Sequence, residues 1–237
     1  MTAEVHADIH AGVHSDVHAD VRLAARALAR HALVHAYGHV SARLAPATFV
    51  VTPAHPLGQV TRSTALVDVA LGEAHDEALP AGALPEVRLH QAIYRARADV
   101  GGICRFQAPA VMALSALRRT PRALHGLGAY FAPQPPLWDD PALIRDPERA
   151  GAVAAVLATH RAVVLRGNGA VTVGPSVRAA ACHAFFLEDA ARIELATLGH
   201  PAVPYTAEDA ARRAGADAQL YARMWEFLLG DDLQEAR

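Results

Sequence analysis

The sequence contains no lysine: all 22 of its basic residues are arginine. A lysine Schiff base and a lysine-bound pyridoxal phosphate are therefore excluded, which closes two common routes to carbon-carbon chemistry. Cysteine is nearly absent as well. Cys104 and Cys182 are too few for a disulfide framework and too far apart for a zinc knuckle, so both read as buried thiols. No stretch approaches 18 apolar residues without a charge or a proline, and no basic segment leads into an apolar run at the N-terminus. The expected location is the cytoplasm, with no membrane partner. A formal charge of -2 supplies no broad basic field to neutralise a phosphate backbone, so nucleic acid is not an expected partner either. What remains is an ordinary globular composition, 52% hydrophobic and 19% charged over 237 residues, long enough to bury a sizeable core.

The first pattern that is present is a four-residue repeat, Val5-His6-Ala7-Asp8, Ile9-His10-Ala11-Gly12, Val13-His14-Ser15-Asp16 and Val17-His18-Ala19-Asp20. In a helix His6, His10, His14 and His18 would stack on one face, where pairs at i and i+4 can chelate a transition metal. The same spacing makes a stripe of Val5, Ile9, Val13, Val17 and Val21, so the segment reads as an amphipathic extension packing on a neighbour. Residues 1–20 are therefore an N-terminal extension, and residues 21–237 a single domain in which no linker is long enough to mark a second.

Residues 21–35 combine strong helix formers with apolar positions at helical spacing, which predicts a helix ending near Gly38. Ser41-Ala42-Arg43-Leu44 follows, and then a β-rich stretch at 48–53 closed by a proline turn. After a breaker-rich loop over 73–85, Glu86 opens a helix reaching 100, with its carboxylate in the first turn. A strand at 101–106, a helix at 108–118 and a long proline-rich loop at 125–146 come next; loops of that length often line a site. A helix at 147–159, a strand at 162–165, the turn Arg166-Gly167-Asn168-Gly169, a strand at 170–173 and a helix at 177–198 complete the pattern. Strands and helices alternate as in an α/β protein.

In this order the motifs resemble the class II aldolase and adducin family over about residues 21–201. The residues that carry the resemblance are Gly38-His39-Val40-Ser41-Ala42-Arg43, where the family writes G-N-x-S-x-R, then Thr52-Pro53. Further on come Glu86-Val87-Arg88-Leu89-His90 and Leu165-Arg166-Gly167-Asn168-Gly169-Ala170-Val171, with Leu187-Glu188 behind. The resemblance implies a three-layer αβα fold with a central, largely antiparallel sheet and helices on both faces. It also implies a homo-oligomer, commonly a tetramer, with the site at a subunit boundary and a small molecule as substrate. Arg166-Gly167-x-Gly169 and the loop 136–139 look closest to the decarboxylase branch. The family's phosphate-using aldolases place a serine pair before the catalytic glutamate, whereas Leu84 and Pro85 stand here, which points to a non-phosphorylated carbonyl or carboxylic acid.

The departures from the family pattern bear on mechanism. Family enzymes hold a divalent cation through a His-x-His pair at a strand end and a third histidine in the glycine turn. Arg105 and Gln107 occupy the first two positions and Asn168, the only asparagine in the chain, the third. Guanidinium has no lone pair to give a metal and amides are weak ligands for zinc-like ions, so no metal and no cofactor are expected. One reading is a non-catalytic binding or scaffold protein that keeps the fold. Another is a metal-dependent decarboxylase with an unusual ligand set. The favoured reading is a rebuilt lyase-type site, with Glu86 as acid/base and Arg105 as the charge that holds an enolate-like intermediate. Such a site would serve decarboxylation, retro-aldol cleavage, dehydration or cyclisation, and would suit specialised metabolism. His39, Ser41, Gln107, His125, Arg166 and Asn168 are the candidate substrate-binding residues. His39 also continues a helical spacing from His31 and His35, Asn168 suits a plain turn, and Arg166 could pair with a carboxylate instead.

Overall fold

The computed structural model describes residues 16–72, 78–215 and 218–235. All of the histidine repeat before Asp16 lies outside them. Asp16 has extended backbone and its carboxylate accepts from the His18 N–H, which starts helix α1 at Val17, earlier than the apolar pattern alone suggested. The last unit of the repeat is thus the first turn of α1 (Val17–Arg30), and buried Asp20 in that turn receives both Nε and Nη2 of Arg178. The helix stops at Arg30 because Ala32 takes a left-handed conformation, φ 56°, and the chain turns so that Leu33 and Val34 enter the core. His31, His35 and His39 consequently share no helix face.

The remaining elements are strands β1 (His39–Ala45), β2 (Thr48–Val51) and β3 (Val67–Ala70), helix α2 (Val87–Ala96), strand β4 (Gly102–Phe106), helix α3 (Pro109–Ala116) and a two-residue strand β5 (Leu137–Trp138). Helix α4 (Pro147–Leu157), strands β6 (Ala162–Leu165) and β7 (Ala170–Gly174), the long α5 (Val177–Thr197), α6 (Ala207–Arg213) and α7 (Ala218–Leu229) follow. The seven strands lie in the order β3-β2-β1-β4-β7-β6-β5, antiparallel throughout except for the β5–β6 pair. Pattern reading did not mark β3, β5 or the two C-terminal helices.

Side-chain alternation along the strands divides the interior in two. Cys104 and Phe106 of β4, with Val40 and Ala42 of β1, pack beneath α1, α3, α5 and α7. Ile103 of β4 and Val171 and Val173 of β7 pack beneath α2 and α4. Helices therefore cover both faces of a mostly antiparallel sheet, a three-layer αβα arrangement. His39, Ser41 and Arg105 fall on the α2 side of that alternation, so polar residues interrupt an otherwise apolar layer there.

Candidate functional site

Four segments bring polar side chains together at one end of the sheet. His39 and Arg105 are partners in the β1–β4 register, which puts their side chains next to each other. Glu86, His90 and Tyr94 recur at i, i+4 and i+8 and so share the face of α2 turned to the sheet. Asn168 comes from the β6–β7 turn. Its neighbour Gly169 has φ 75°, and a Cβ there would stand 1.9 Å from the Phe106 carbonyl oxygen, so only glycine lets the turn lie against the end of β4. On the opposite side of β4, the buried Glu188 carboxylate accepts from the N–H groups of Ala110 and Val111, fixing the start of α3 just beyond Gln107.

Arg105 Nη2 and Gln107 Nε2 both donate to Asn168 Oδ1, each at 2.7 Å. Arg105 is 6% exposed, yet no carboxylate among the described residues lies within ion-pair distance of it. Burial lowers its pKa to about 10, and the Glu86 carboxylate works in the opposite direction. Glu86 has one oxygen occupied: Oε1 accepts from Arg145 Nε at 2.8 Å, whereas Oε2 is buried without a partner among the described residues. Beneath this pair His39 Nδ1 meets His90 Nε2 at 2.6 Å, and His90 Nδ1 meets Ser41 Oγ at 2.6 Å. Burial, and then the Arg105 charge, hold His90 at about 3; burial, His90 and Arg105 hold His39 well below the ordinary range, so both rings are neutral at physiological pH.

Glu86, Arg105, His39, Gln107 and Asn168 therefore come together, and three other sequence candidates do not. Ser41 is fully buried between His90 and Tyr94, so it supports the cluster from beneath and lines no substrate surface. Arg166 pairs with Asp139, which also receives Arg118, so its charge is spent anchoring the loop that carries β5. His125 sits with the helices on the other face of the sheet: its charged neighbours are Asp189 of α5 and Arg213 of α6, and it does not join the candidate residues around Glu86. Sequence reading missed His90, Tyr94 and Arg145.

The cluster does not suit a divalent cation. Arg105 can only donate, and the Asn168 oxygen that would face a metal already accepts from two N–H groups. Among the described residues, no three His, Cys, Asp or Glu side chains are grouped so as to hold an ion.

Comparison with known proteins agrees with this architecture. The profile of the Class II Aldolase and Adducin N-terminal domain matches residues 19–195. L-fuculose 1-phosphate aldolase from Glaciozyma antarctica PI12 superposes with a TM-score of 0.77 at 20% identity, covering 93% of this chain and 91% of that one. An aldolase II superfamily protein from Pseudomonas syringae gives 0.75 at 22% identity over 93% of both chains. L-fuculose-1-phosphate aldolase from Thermus thermophilus gives 0.67 at 26% identity, covering 79% of this chain and 98% of that one. A search of curated proteins found no match. No helix among the described residues is long and apolar enough to cross a membrane. The profile spans well over half of the sequence, and the chain belongs to the class II aldolase and adducin family.

Proposed function

We propose that the protein is a lyase-type enzyme that forms an enolate-like intermediate from a small, non-phosphorylated carbonyl or carboxylic acid without a metal ion. The observation that carries this reading is that, among the described residues, a buried guanidinium has no ion-pair partner and the nearby Glu86 carboxylate has one oxygen with no partner. A folded chain gains no stability from either feature, and together they form a complementary pair for a substrate. The substrate's carbonyl or carboxylate oxygen would accept from the free N–H groups of Arg105, which form a fork suited to an oxyanion. Glu86 Oε2 would take the proton from the adjacent carbon as the C–H electron pair moves into the carbonyl, and would return a proton when the intermediate collapses. Arg145 holds Oε1 and thereby aims Oε2. The Asn168 amide accepts from both Arg105 and Gln107, which supports a role for it beyond the turn.

The substrate being unknown, the test is exchange of the carbon-bound proton. Small 2-oxo and 3-hydroxy acids are incubated with the protein in deuterium oxide and followed by NMR. Wild type is expected to exchange at least one of them and Glu86→Gln none. Binding without exchange across the set would favour the non-catalytic reading instead.

A homotetramer is the assembly that the family resemblance implies, and exposed Tyr37 and Phe227 are apolar side chains that contacts between copies would cover. Light scattering on untagged protein should give four times the chain mass. A monomer at micromolar concentration would remove the shared-site arrangement.

A further inference from the structure

Beneath Arg105 runs a hydrogen-bond chain of four side chains: His39 Nδ1 to His90 Nε2 at 2.6 Å, His90 Nδ1 to Ser41 Oγ at 2.6 Å, and Ser41 Oγ to the Tyr94 hydroxyl at 2.9 Å. All four residues are buried, and Phe49 stacks against His90 and packs tilted against Tyr94. A neutral imidazole carries one N–H and one lone pair, so His90 donates at one end and accepts at the other. Only two orientations of the chain exist. In the first, Tyr94 donates to Ser41, Ser41 donates to His90 Nδ1, and His90 Nε2–H donates to His39 Nδ1. His39 then carries its hydrogen on Nε2. In the second, every link is reversed and His39 presents a lone pair at Nε2.

The two orientations are not equivalent, because the far end of the chain consists of hydroxyls alone. When His90 donates to Ser41, the hydrogens of Ser41 and Tyr94 have only the link between them to share, and one stays unpaired. Among the described residues neither hydroxyl has another partner: Tyr94 O–H bonds only to Ser41, and the Arg43 guanidinium lies 4.7 Å over the Tyr94 ring, offering no acceptor. A buried donor with nothing to receive it is the arrangement that folded proteins avoid. The first orientation leaves no hydrogen unpaired. At the near end His39 Nε2 has no partner among the described residues and is not sealed from solvent, and His39 stands opposite Arg105 in the strand register.

We infer that Ser41, held in place by Tyr94 and acting through His90, fixes His39 as an Nε2–H hydrogen-bond donor beside Arg105, so that guanidinium and imidazole together receive a carboxylate or enolate oxygen and His39 does not act as a base. Ser41, His90 and Tyr94 are positioning residues in this arrangement. The ligand class rests on the function proposed above, whereas the direction of the chain does not.

The test reads tautomers directly. In ¹⁵N-labelled protein at neutral pH, two-bond proton-nitrogen correlation spectra should show His39 and His90 neutral, both with the hydrogen on Nε2. Tyr94→Phe should keep that state, since Ser41 still donates to His90. Ser41→Ala removes the hydroxyl that orders the chain and should produce a mixture containing the Nδ1–H form. Titrating acetate, the simplest carboxylate, should move the His39 Nε2 resonance in wild type and much less in Arg105→Met. Nδ1–H rings or charged rings in wild type would overturn the inference, as would a Ser41→Ala spectrum with unchanged tautomers; an unmoved Nε2 resonance would remove the carboxylate from it. No step of the tautomer measurement uses a substrate, so reversed tautomers alongside an inactive Glu86→Gln would sink this inference and leave the proposed function standing. The opposite result would do the reverse.

Discussion

Glu86→Gln and Arg105→Met should each lower proton exchange and turnover on the order of a hundredfold or more, with little or none of the loss of stability that core substitutions cause. Glutamine keeps the size of Glu86 and cannot take a proton, and removal of a positioned acid/base typically costs that much. Methionine at 105 fills similar space but offers no donor to an oxyanion, a loss of similar size. The double variant should lose less than the product of the two, since a proton transfer whose product is not stabilised has little left to lose. Glu86→Gln gives up only the partly exposed pair with Arg145, a contribution of about 0 to 1 kcal/mol. Arg105→Met should melt at or above the wild-type temperature. The folded-state pKa near 10 lies below the unfolded value, so the charged form is disfavoured by folding, by about 3 kcal/mol. That penalty is fully present at neutral pH and is relieved only as pH rises through 10, and methionine removes it. A strongly active Arg105→Met, or one that unfolds, would assign Arg105 to the scaffold and not to the site.

The second large effect is on the turn that carries Asn168. Gly169→Ala should destabilise the protein by about 4 kcal/mol or more, because the new Cβ meets the Phe106 carbonyl oxygen at 1.9 Å and the Gln107 Cα at 2.7 Å, in a left-handed conformation that itself disfavours alanine. In a chain of this size that corresponds to a fall in Tm on the order of 10 °C. Gly167, two residues earlier, has φ 65° with nothing within 4 Å of the place a Cβ would take. Gly167→Ala should therefore cost only the backbone preference, about 1 kcal/mol. Thermal melting of the two variants side by side checks the contrast, and equal losses would show that Gly169 does not lie against β4 as described.

The contrast between those two glycines also shows what a linear sequence reveals. The run 166–169 is legible as a turn, but which glycine touches another strand depends on how β6 and β7 meet β4. Glu86 was legible because its carboxylate opens a strongly patterned helix, and Arg105 because it stands at a strand end where the family keeps a ligand. His90 and Tyr94 were not, since they occupy positions that also fit the apolar stripe of α2, and a buried polar pair there is indistinguishable from core until the strand beneath it is known to carry His39 and Ser41. The spacing of Glu86, His90 and Tyr94 was the available signal. His39 was read against His31 and His35 because nothing in the local sequence shows Ala32 adopting a left-handed conformation that breaks the helix. His125 stands apart from the cluster for a topological reason: its loop crosses to the layer of α5 and α6, and periodicity does not record the layer. The alternation of strands and helices was enough for the fold class, while the short β3 and β5 depend on pairing with longer neighbours and carry little pattern of their own.

The measurement that bears most directly on a guanidinium standing in place of a metal is the metal content of protein purified without a tag and with His6, His10, His14 and His18 replaced by glutamine, so that the repeat cannot contribute. Elemental analysis should find zinc, manganese, iron and cobalt far below one equivalent per chain, and the same protein carrying Arg105→His, Gln107→His and Asn168→His should take up a transition metal. One tightly held equivalent in the protein that keeps Arg105, Gln107 and Asn168, lost when Glu86 or Asn168 is replaced, would contradict the metal-free site.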